Sequence, residues 1–249
     1  MTNHFSSLQP KVWVFVLLSF FSRTSLFSQN AELGIVLGGT AYRGDIEVRP
    51  NTAFQQMRPM AGLFYRYHTS YRWAFRGQLT LAQLYANEKQ YPVASVDNWR
   101  EKRGVSFTTS LLELSVLPEL RLFQVGDVDF YAFAGVSGFY FKPTTDYNEP
   151  NSVIGDKNLD KNAAFSKFSW AIPMGVGMQW FMNDRTALGF ELSGHKAYTD
   201  YLDGLSLSAS PKVKDYYFFA NLTLSTFFGQ KQRGGFGRGK KNVGCPTFD

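Results

Sequence analysis

The feature that most restricts the fold is a period-two alternation of apolar and polar residues, which recurs in eight segments between residues 29 and 228. This is the pattern of a β-strand whose two faces meet different surroundings. Most segments are longer than the strands of soluble sandwiches, typically about 5–6 residues, and suit a tilted membrane-crossing strand of about 9–11. The predicted strands are Ala31–Tyr42, Met57–His68, Arg72–Ala86, Val105–Phe123, Asp129–Lys142, Lys167–Met182, Thr186–Tyr198 and Asp215–Phe228.

The predicted connections alternate in length along the chain. The short turns are residues 69–71, 124–128 and 183–185, and the long loops are residues 43–56, 87–104, 143–166 and 199–214. Short turns on one side and long loops on the other are typical of outer-membrane barrels, where the short turns face the periplasm. We therefore predict an all-β fold, an eight-stranded antiparallel transmembrane β-barrel in the cell outer membrane, with both termini periplasmic.

One face of the predicted strands is apolar and the other is polar with charges. On the last strand, for example, Leu222 and Leu224 oppose Asn221 and Thr223. Because the apolar face suits lipid, the charged side chains are predicted to fill the lumen, which in an eight-stranded barrel has room only for side chains. We interpret them as a structural plug, with a gated ion route as the alternative. This luminal charge network consists of Glu32, Arg66, Arg76, Glu113, Glu119, Arg121 and Glu191.

Aromatic residues near the strand ends predict the girdles that form at membrane interfaces. The predicted girdle residues are Tyr42, Trp73, Phe123, Tyr140, Trp180, Tyr198 and Tyr217.

The first 28 residues are predicted to be a secretory signal peptide. A polar start with one positive charge precedes the apolar run Val12–Phe21, and a polar stretch with small residues follows up to Ser28. That order of regions is the secretory pattern, and a spanning anchor would need roughly 20 apolar residues. The predicted domains are therefore the signal peptide 1–28, the barrel 29–228 and a basic, Gly-rich periplasmic tail 229–249.

The positive charge of the exported chain is concentrated in that tail. Residues 29–228 carry equal numbers of basic and acidic side chains, whereas the tail carries five bases and one acid. A basic tail on a neutral body indicates a contact device. The candidate partner-binding residues are Lys231, Arg233, Arg238, Lys240, Lys241 and the single cysteine, Cys245.

Patterns typical of enzymes or cofactor sites are weak in this sequence. His68 and His195 lie on separate predicted strands without ligand-like spacing, so we predict no metal site. A Ser-His-Asp arrangement could be drawn from His195, Asp200 and a serine, but polar lumen or loop residues are the simpler interpretation. The glycines of residues 234–239 follow no strand–helix unit and do not form a nucleotide loop. We predict no cofactor, no nucleic-acid partner and no enzymatic activity.

Several short segments resemble one known family. They are Glu32-Leu33-Gly34, Tyr42-Arg43-Gly44-Asp45, Glu113-Leu114-Ser115, Ile172-Pro173-Met174-Gly175-Val176-Gly177, Thr199-Asp200-Tyr201-Leu202-Asp203-Gly204-Leu205-Ser206 and Cys245-Pro246-Thr247-Phe248. Together they are similar to the PorG family, small barrel components of the type IX secretion system of Bacteroidetes. The loop positions that carry the resemblance are Tyr42, Gly44, Asp45, Asp200, Tyr201, Leu202 and Asp203.

The resemblance implies a non-enzymatic part in protein export, in contact with a periplasmic ring formed by a lipoprotein and its partner. We expect residues 229–249 to dock on that ring, with Cys245 forming an intermolecular disulfide that the oxidising periplasm permits. A free thiol at Cys245 is the alternative. The competing functions are a small outer-membrane channel or uptake barrel and a membrane enzyme.

Overall fold

A computed structural model of the chain describes residues 31–43, 56–87, 106–146, 166–199, 202 and 215–228. The predicted signal peptide, the tail with Cys245 and its five bases, and the loop residues Gly44, Asp45, Asp200, Tyr201 and Asp203 lie outside the described residues. The strands are β1 Ala31–Arg43, β2 Arg58–His68, β3 Trp73–Asn87, β4 Ser106–Val125, β5 Val128–Ala134, β6 Val136–Asp146, β7 Phe168–Phe181, β8 Thr186–Ala197 and β9 Tyr216–Phe228.

The strands close into a ring in which every neighbouring pair is antiparallel. Strands β1 to β4 pair in chain order, and so do β7 to β9, while β5 and β6 each pair with β4 and β7. Strand β1 pairs with β9 over the full length of both strands. Closure leaves no free sheet edge, so the backbone hydrogen bonds are satisfied without water. The predicted antiparallel barrel fold is confirmed. No helix in the described residues is long and apolar enough to cross a bilayer.

Strands β5 and β6 are two halves of one barrel stave, interrupted at Gly135. Both halves pair with β4 on one side and β7 on the other. The alternation of inward and outward side chains continues across the break, because Phe133 and Ser137 are both buried in the lumen. A Cβ atom at Gly135 would collide with the carbonyl oxygen of Val116, so the close approach of β4 requires glycine here. Nine strand segments therefore build eight staves, as the single predicted strand Asp129–Lys142 requires.

The outer surface of the barrel is a continuous apolar band. Large apolar side chains alternate with inward polar ones, so that Leu114 is 62% exposed between the buried Glu113 and Ser115. An exposed apolar surface of this extent is a membrane-facing surface. We call it the lipid-facing band; its members include Leu33, Ile35, Leu37, Leu63, Leu79, Leu81, Leu112, Leu114, Val116, Val136, Met174, Val176, Leu188, Leu192, Leu222 and Leu224.

Most of the predicted girdle aromatics lie on the outside, but two do not. Trp73, Tyr140 and Trp180 are about half exposed on the outer face. The prediction for Tyr42 and Tyr217 is wrong, because both side chains are buried in the lumen. The inward positions are favourable for them because each hydroxyl meets a carboxylate there, as described below.

The two ends of the barrel differ in their connections. Residues 69–72, 126–127 and 182–185 form the short-turn end, where β1 begins and β9 finishes, since Ala31 pairs with Phe228. Gly126, with φ 61°, adopts the left-handed conformation that the tight turn between β4 and β5 needs. The opposite end, where the long connections begin, is called the long-loop end.

Candidate functional site

Five charged side chains meet in the lumen towards the short-turn end. We call Glu32, Arg66, Arg76, Glu119 and Glu191 the central ion cluster. Arg66 Nη1 donates to both carboxylate oxygens of Glu32 at 2.9 Å, and Arg66 Nε lies 2.7 Å from Glu119 Oε2. Arg76 Nε lies 2.8 Å from Glu119 Oε1, and Arg76 Nη1 contacts Glu191 Oε1. Three carboxylates thus share two guanidinium groups.

Three neutral side chains donate further hydrogen bonds to the carboxylates of the cluster. Gln179 Nε2 donates to Glu32 Oε1 at 2.7 Å, and Asn221 Nδ2 donates to Glu191 Oε2 at 3.0 Å. The Tyr131 hydroxyl donates to Glu191 Oε1. With these three, every one of the eight staves contributes a side chain to a single network across the lumen.

The central ion cluster is almost fully shielded from solvent. Glu32 is 0% exposed and Arg76 is 1% exposed. Buried charges cost several kcal/mol each unless they are paired and hydrogen-bonded, so removing one member leaves the others uncompensated. Aromatic faces add to the pairing, because the Arg76 guanidinium lies 4.8 Å from the ring centre of Phe133 and that of Arg66 lies 5.0 Å from Phe64.

Glycines make room for two of the rings around the cluster. A Cβ atom at Gly34 would collide with the Phe64 ring, and one at Gly177 would collide with the Tyr131 ring. Both glycines belong to segments that carry the family resemblance. Those segments therefore shape the packing of the lumen as well as the surface of the strands.

A second polar cluster lies further along the lumen, around Glu113. Its carboxylate accepts hydrogen bonds from the hydroxyls of Ser115 at 2.9 Å and Tyr217 at 2.8 Å. His195 Nδ1 lies 3.1 Å from Glu113 Oε1, and His195 Nε2 lies 3.0 Å from Ser193 Oγ. These contacts join β4, β8 and β9 inside the barrel.

The order Ser193–His195–Glu113 contains the residue types of a hydrolytic triad. Ser193 is 8% exposed, and the imidazole of His195 is enclosed by the rings of Tyr217 and Phe219 at 4.7 and 4.4 Å between centroids. A substrate would have to enter the packed lumen to reach the serine. The contacts therefore act as a cross-link between strands. The Asp200 considered as a triad member lies outside the described residues.

Arg121 lies apart from the central ion cluster, at the mouth of the short-turn end. Its Nε lies 2.9 Å from Asp129 Oδ2, and its guanidinium lies 4.9 Å from the ring centre of Tyr71. A small recess of about 20 Å³ begins at this mouth, and its lining includes Arg66 and Glu119. The recess is therefore closed at its inner end by the central ion cluster.

The lumen at the long-loop end is apolar and aromatic, and a loop residue is inserted into it. The side chain of Leu202 is fully buried in the cluster that contains Phe107 and Phe139. Leu202 N donates to Asp215 Oδ2 at 3.2 Å, and the Thr109 hydroxyl donates to Leu202 O at 2.5 Å. The Tyr42 hydroxyl donates to Asp215 Oδ1 at 2.5 Å.

Tyr42 and Leu202 belong to the two loop motifs that carry the family resemblance. The structure brings them to the same place, the luminal side of the long-loop end, where Asp215 connects them. The motif around Leu202 therefore anchors its loop to the barrel interior.

The predicted luminal network is thus divided among three places. The structure brings five of its seven members together, places Glu113 with His195, and leaves Arg121 with Asp129 at the mouth. Sequence reasoning missed Tyr131 and Gln179, although the alternation along their strands predicts that both side chains point inward. It placed Asn221 on the polar face of the last strand but did not assign it to the network. Within the described ranges no group of three or more His, Cys, Asp or Glu side chains could hold a metal ion.

Comparison with known proteins gives one family and several barrels of similar fold. The family described as "Domain of unknown function (DUF6089)" matches residues 11–233. No curated protein matches the chain. Among solved structures, Neisserial surface protein A matches with a TM-score of 0.48 and 9% identity, over 80% of this chain and 97% of that chain.

Two further solved structures illustrate the range of these similarities. A major outer membrane protein from Thermus thermophilus matches with a TM-score of 0.46 and 12% identity, over 79% of this chain and 98% of that one. The attachment invasion locus protein Ail of Yersinia pestis, in complex with the heparin analogue sucrose octasulfate, matches with a TM-score of 0.40 and 14% identity, over 79% and 99%.

Proposed function

The chain belongs to the DUF6089 family, and we propose that it is a non-enzymatic outer-membrane component of a type IX protein secretion machinery. In this proposal the barrel is an anchor in the outer membrane. Its basic C-terminal tail docks a periplasmic ring made of a lipoprotein and its partner. The domain boundaries proposed are residues 1–28 for the signal peptide, 29–228 for the barrel and 229–249 for the tail.

The observation that carries the anchor role is the central ion cluster. Side chains from all eight staves are bonded to one another across the lumen, and Glu32, Arg76 and Glu191 are each at most 2% exposed. A conducting lumen would need these charges to be separated and hydrated. The cross-linking supports a rigid membrane scaffold over the alternative of a small channel or uptake barrel.

The place where the tail begins supports a docking role on the short-turn side. Strand β9 ends at Phe228 at the short-turn end, next to the start of β1. In outer-membrane barrels the short turns face the periplasm. With that orientation, Lys231, Arg233 and the bases after them extend into the periplasm, where Cys245 meets an oxidising environment that permits a disulfide to a partner.

The experiment is an affinity pull-down of the tagged barrel from solubilised outer membranes, analysed on non-reducing and reducing gels. The full chain is compared with a chain ending at Phe228 and with a Cys245→Ser variant. We expect the full chain to recover a periplasmic ring lipoprotein, the truncated chain to lose it, and Cys245→Ser to lose a reducible adduct.

A charge variant separates the contribution of the bases from that of the thiol. Replacing Lys231, Arg233, Arg238, Lys240 and Lys241 by glutamine keeps the length of the tail and Cys245. We expect salt-sensitive capture to be lost in this variant. Recovery of the barrel alone by the full chain, at normal expression, would contradict the secretion role, and conductance in planar bilayers would then test the channel alternative.

A further inference from the structure

The described strands carry outward basic side chains at the long-loop end of the barrel. At the long-loop end the outward side chains include Arg43, Lys142 and Lys196. Among the side chains whose burial the structure describes, no carboxylate points outward from a strand. The exposed short-turn residues include both signs, Asp127 and Asp184 as well as Arg72 and Arg185.

Two of these outward cations are neighbours in one cross-strand row. Arg43 of β1 pairs with Tyr216 of β9, and Tyr216 pairs with Lys196 of β8. All three side chains point away from the lumen, at the edge of the lipid-facing band. Because adjacent strands are about 4.8 Å apart, the two cations are about 10 Å apart at the backbone. An anion above Tyr216 is within reach of both, and the phenol can donate a further hydrogen bond.

The ion pairs formed within the described parts of the barrel leave both cations unused. Those pairs involve luminal residues such as Arg66 and Glu119, or the mouth pair of Arg121 and Asp129. A stacked aromatic pair stands beside the row, with the rings of Trp170 and Tyr198 at 3.7 Å and 5°. Aromatics of this kind mark the headgroup level of a membrane. The two cations are therefore held where lipid headgroups lie.

We propose that the row of Arg43, Tyr216 and Lys196, called the outer cation row, binds the phosphate groups of lipids at the long-loop end of the barrel. The partner is a phosphorylated glycolipid whose acyl chains lie on the lipid-facing band. The Tyr216 hydroxyl lies between a guanidinium on one side and an ammonium on the other, and these three donors match the several acceptor oxygens of a phosphate. The site is independent of the tail and of any docking on a periplasmic ring.

The test measures retention of bisphosphorylated lipid A on the full-length barrel in neutral detergent by native mass spectrometry. Dephosphorylated lipid A is the matched lipid control. The row is neutralised in Arg43→Gln with Lys196→Gln. The matched protein control is Arg72→Gln with Arg185→Gln, which removes the same charge at the short-turn end. Thermal unfolding of each variant checks that the barrel is intact.

We expect the row variant to bind the phosphorylated lipid about 30-fold more weakly, the effect of two cations at a charged membrane surface. The short-turn control should bind as the wild type does, and dephosphorylated lipid should bind equally weakly to all three proteins. Equal losses in both double variants would overturn the proposal in favour of a general charge effect. Equal retention of the two lipids by the wild type would show that the apolar band alone holds them.

Two further arms distinguish the source of the phosphate and the role of the tail. Inorganic phosphate in large excess should leave the lipid bound, whereas displacement would show a site for free phosphate and refute a lipid site. A chain ending at Phe228 should retain the lipid fully. The result for the lipid is therefore independent of whether the tail captures a secretion partner.

Discussion

Removing one guanidinium from the central ion cluster should destabilise the barrel far more than removing one carboxylate. The cluster holds three carboxylates and two guanidinium groups. In Arg66→Met an apolar chain of similar length replaces the guanidinium, and three buried carboxylates are left around Arg76 alone. Breaking a buried ion pair by removing one partner costs about 3–5 kcal/mol. We expect a loss in that range for the free energy of unfolding.

The opposite substitution, Glu32→Gln, should be mild. It leaves two carboxylates for two guanidinium groups and keeps an amide oxygen that can accept from Arg66. The loss is the difference between a charge-assisted and a neutral hydrogen bond, about 1 kcal/mol. Since Gln179 also donates to Glu32 at 2.7 Å, the amide oxygen must continue to accept that bond.

The assay is urea unfolding of the barrel folded into lipid vesicles, followed by tryptophan fluorescence, with linear extrapolation to zero denaturant. Arg121→Met is the matched control, because it makes the same substitution at the partly exposed mouth, where the carboxylate partner is Asp129. We expect that control to lose about 1 kcal/mol or less. Equal losses for Arg66→Met and Arg121→Met, or a larger loss for Glu32→Gln than for Arg66→Met, would refute the charge-counting argument.

Three further substitutions test the long-loop end, the second polar cluster and the interrupted stave. Leu202→Ala should cost about 2–5 kcal/mol as a buried cavity, and protease should then cut the connection between β8 and β9 faster. Tyr217→Phe removes a donor to Glu113 and should lower the unfolding free energy by about 1–3 kcal/mol, measured in urea. Gly135→Ala should cost about 1–3 kcal/mol through collision with Val116 O, and a slower-migrating, unfolded band on unheated gels would report it.

The barrel could be predicted from the sequence because lipid imposes a simple rule on the strands. Outward positions that face the lipid tails are predominantly apolar, so segments such as Leu222 to Leu224 reveal both their conformation and their facing. The short and long connections fix the order of the staves, and the turn residues in the sequence indicate where both kinds of connection lie. The break at Gly135 could not be read, since it depends on how closely Val116 of the neighbouring strand approaches.

The grouping of luminal residues could not be predicted in the same way. The alternation of inward and outward residues along the strand assigns Glu113 and Glu119 to the lumen. Their positions along the barrel axis, however, depend on strand tilt and register. The structure shows that Glu119 reaches the arginines whereas Glu113 reaches His195. Their positions near strand ends predict an interfacial location for Tyr42 and Tyr217, because aromatic residues are common there. Both residues nevertheless occupy inward-facing positions of their strands, where the carboxylates of Asp215 and Glu113 accept hydrogen bonds from their hydroxyls.

The lumen is closed differently at the two ends of the barrel, so the two ends present different surfaces to a partner. At the long-loop end the chain's own loop closes the lumen through Leu202, whose backbone is held by Asp215 and Thr109. At the short-turn end a small recess, lined in part by Arg66 and Glu119, begins at the mouth of the barrel. A partner approaching from the short-turn side therefore meets an open mouth with charged walls, while one approaching the lumen from the other side meets a packed apolar core. The proposed docking of the tail lies on the open side, so the scaffold and its mouth would face the same ring.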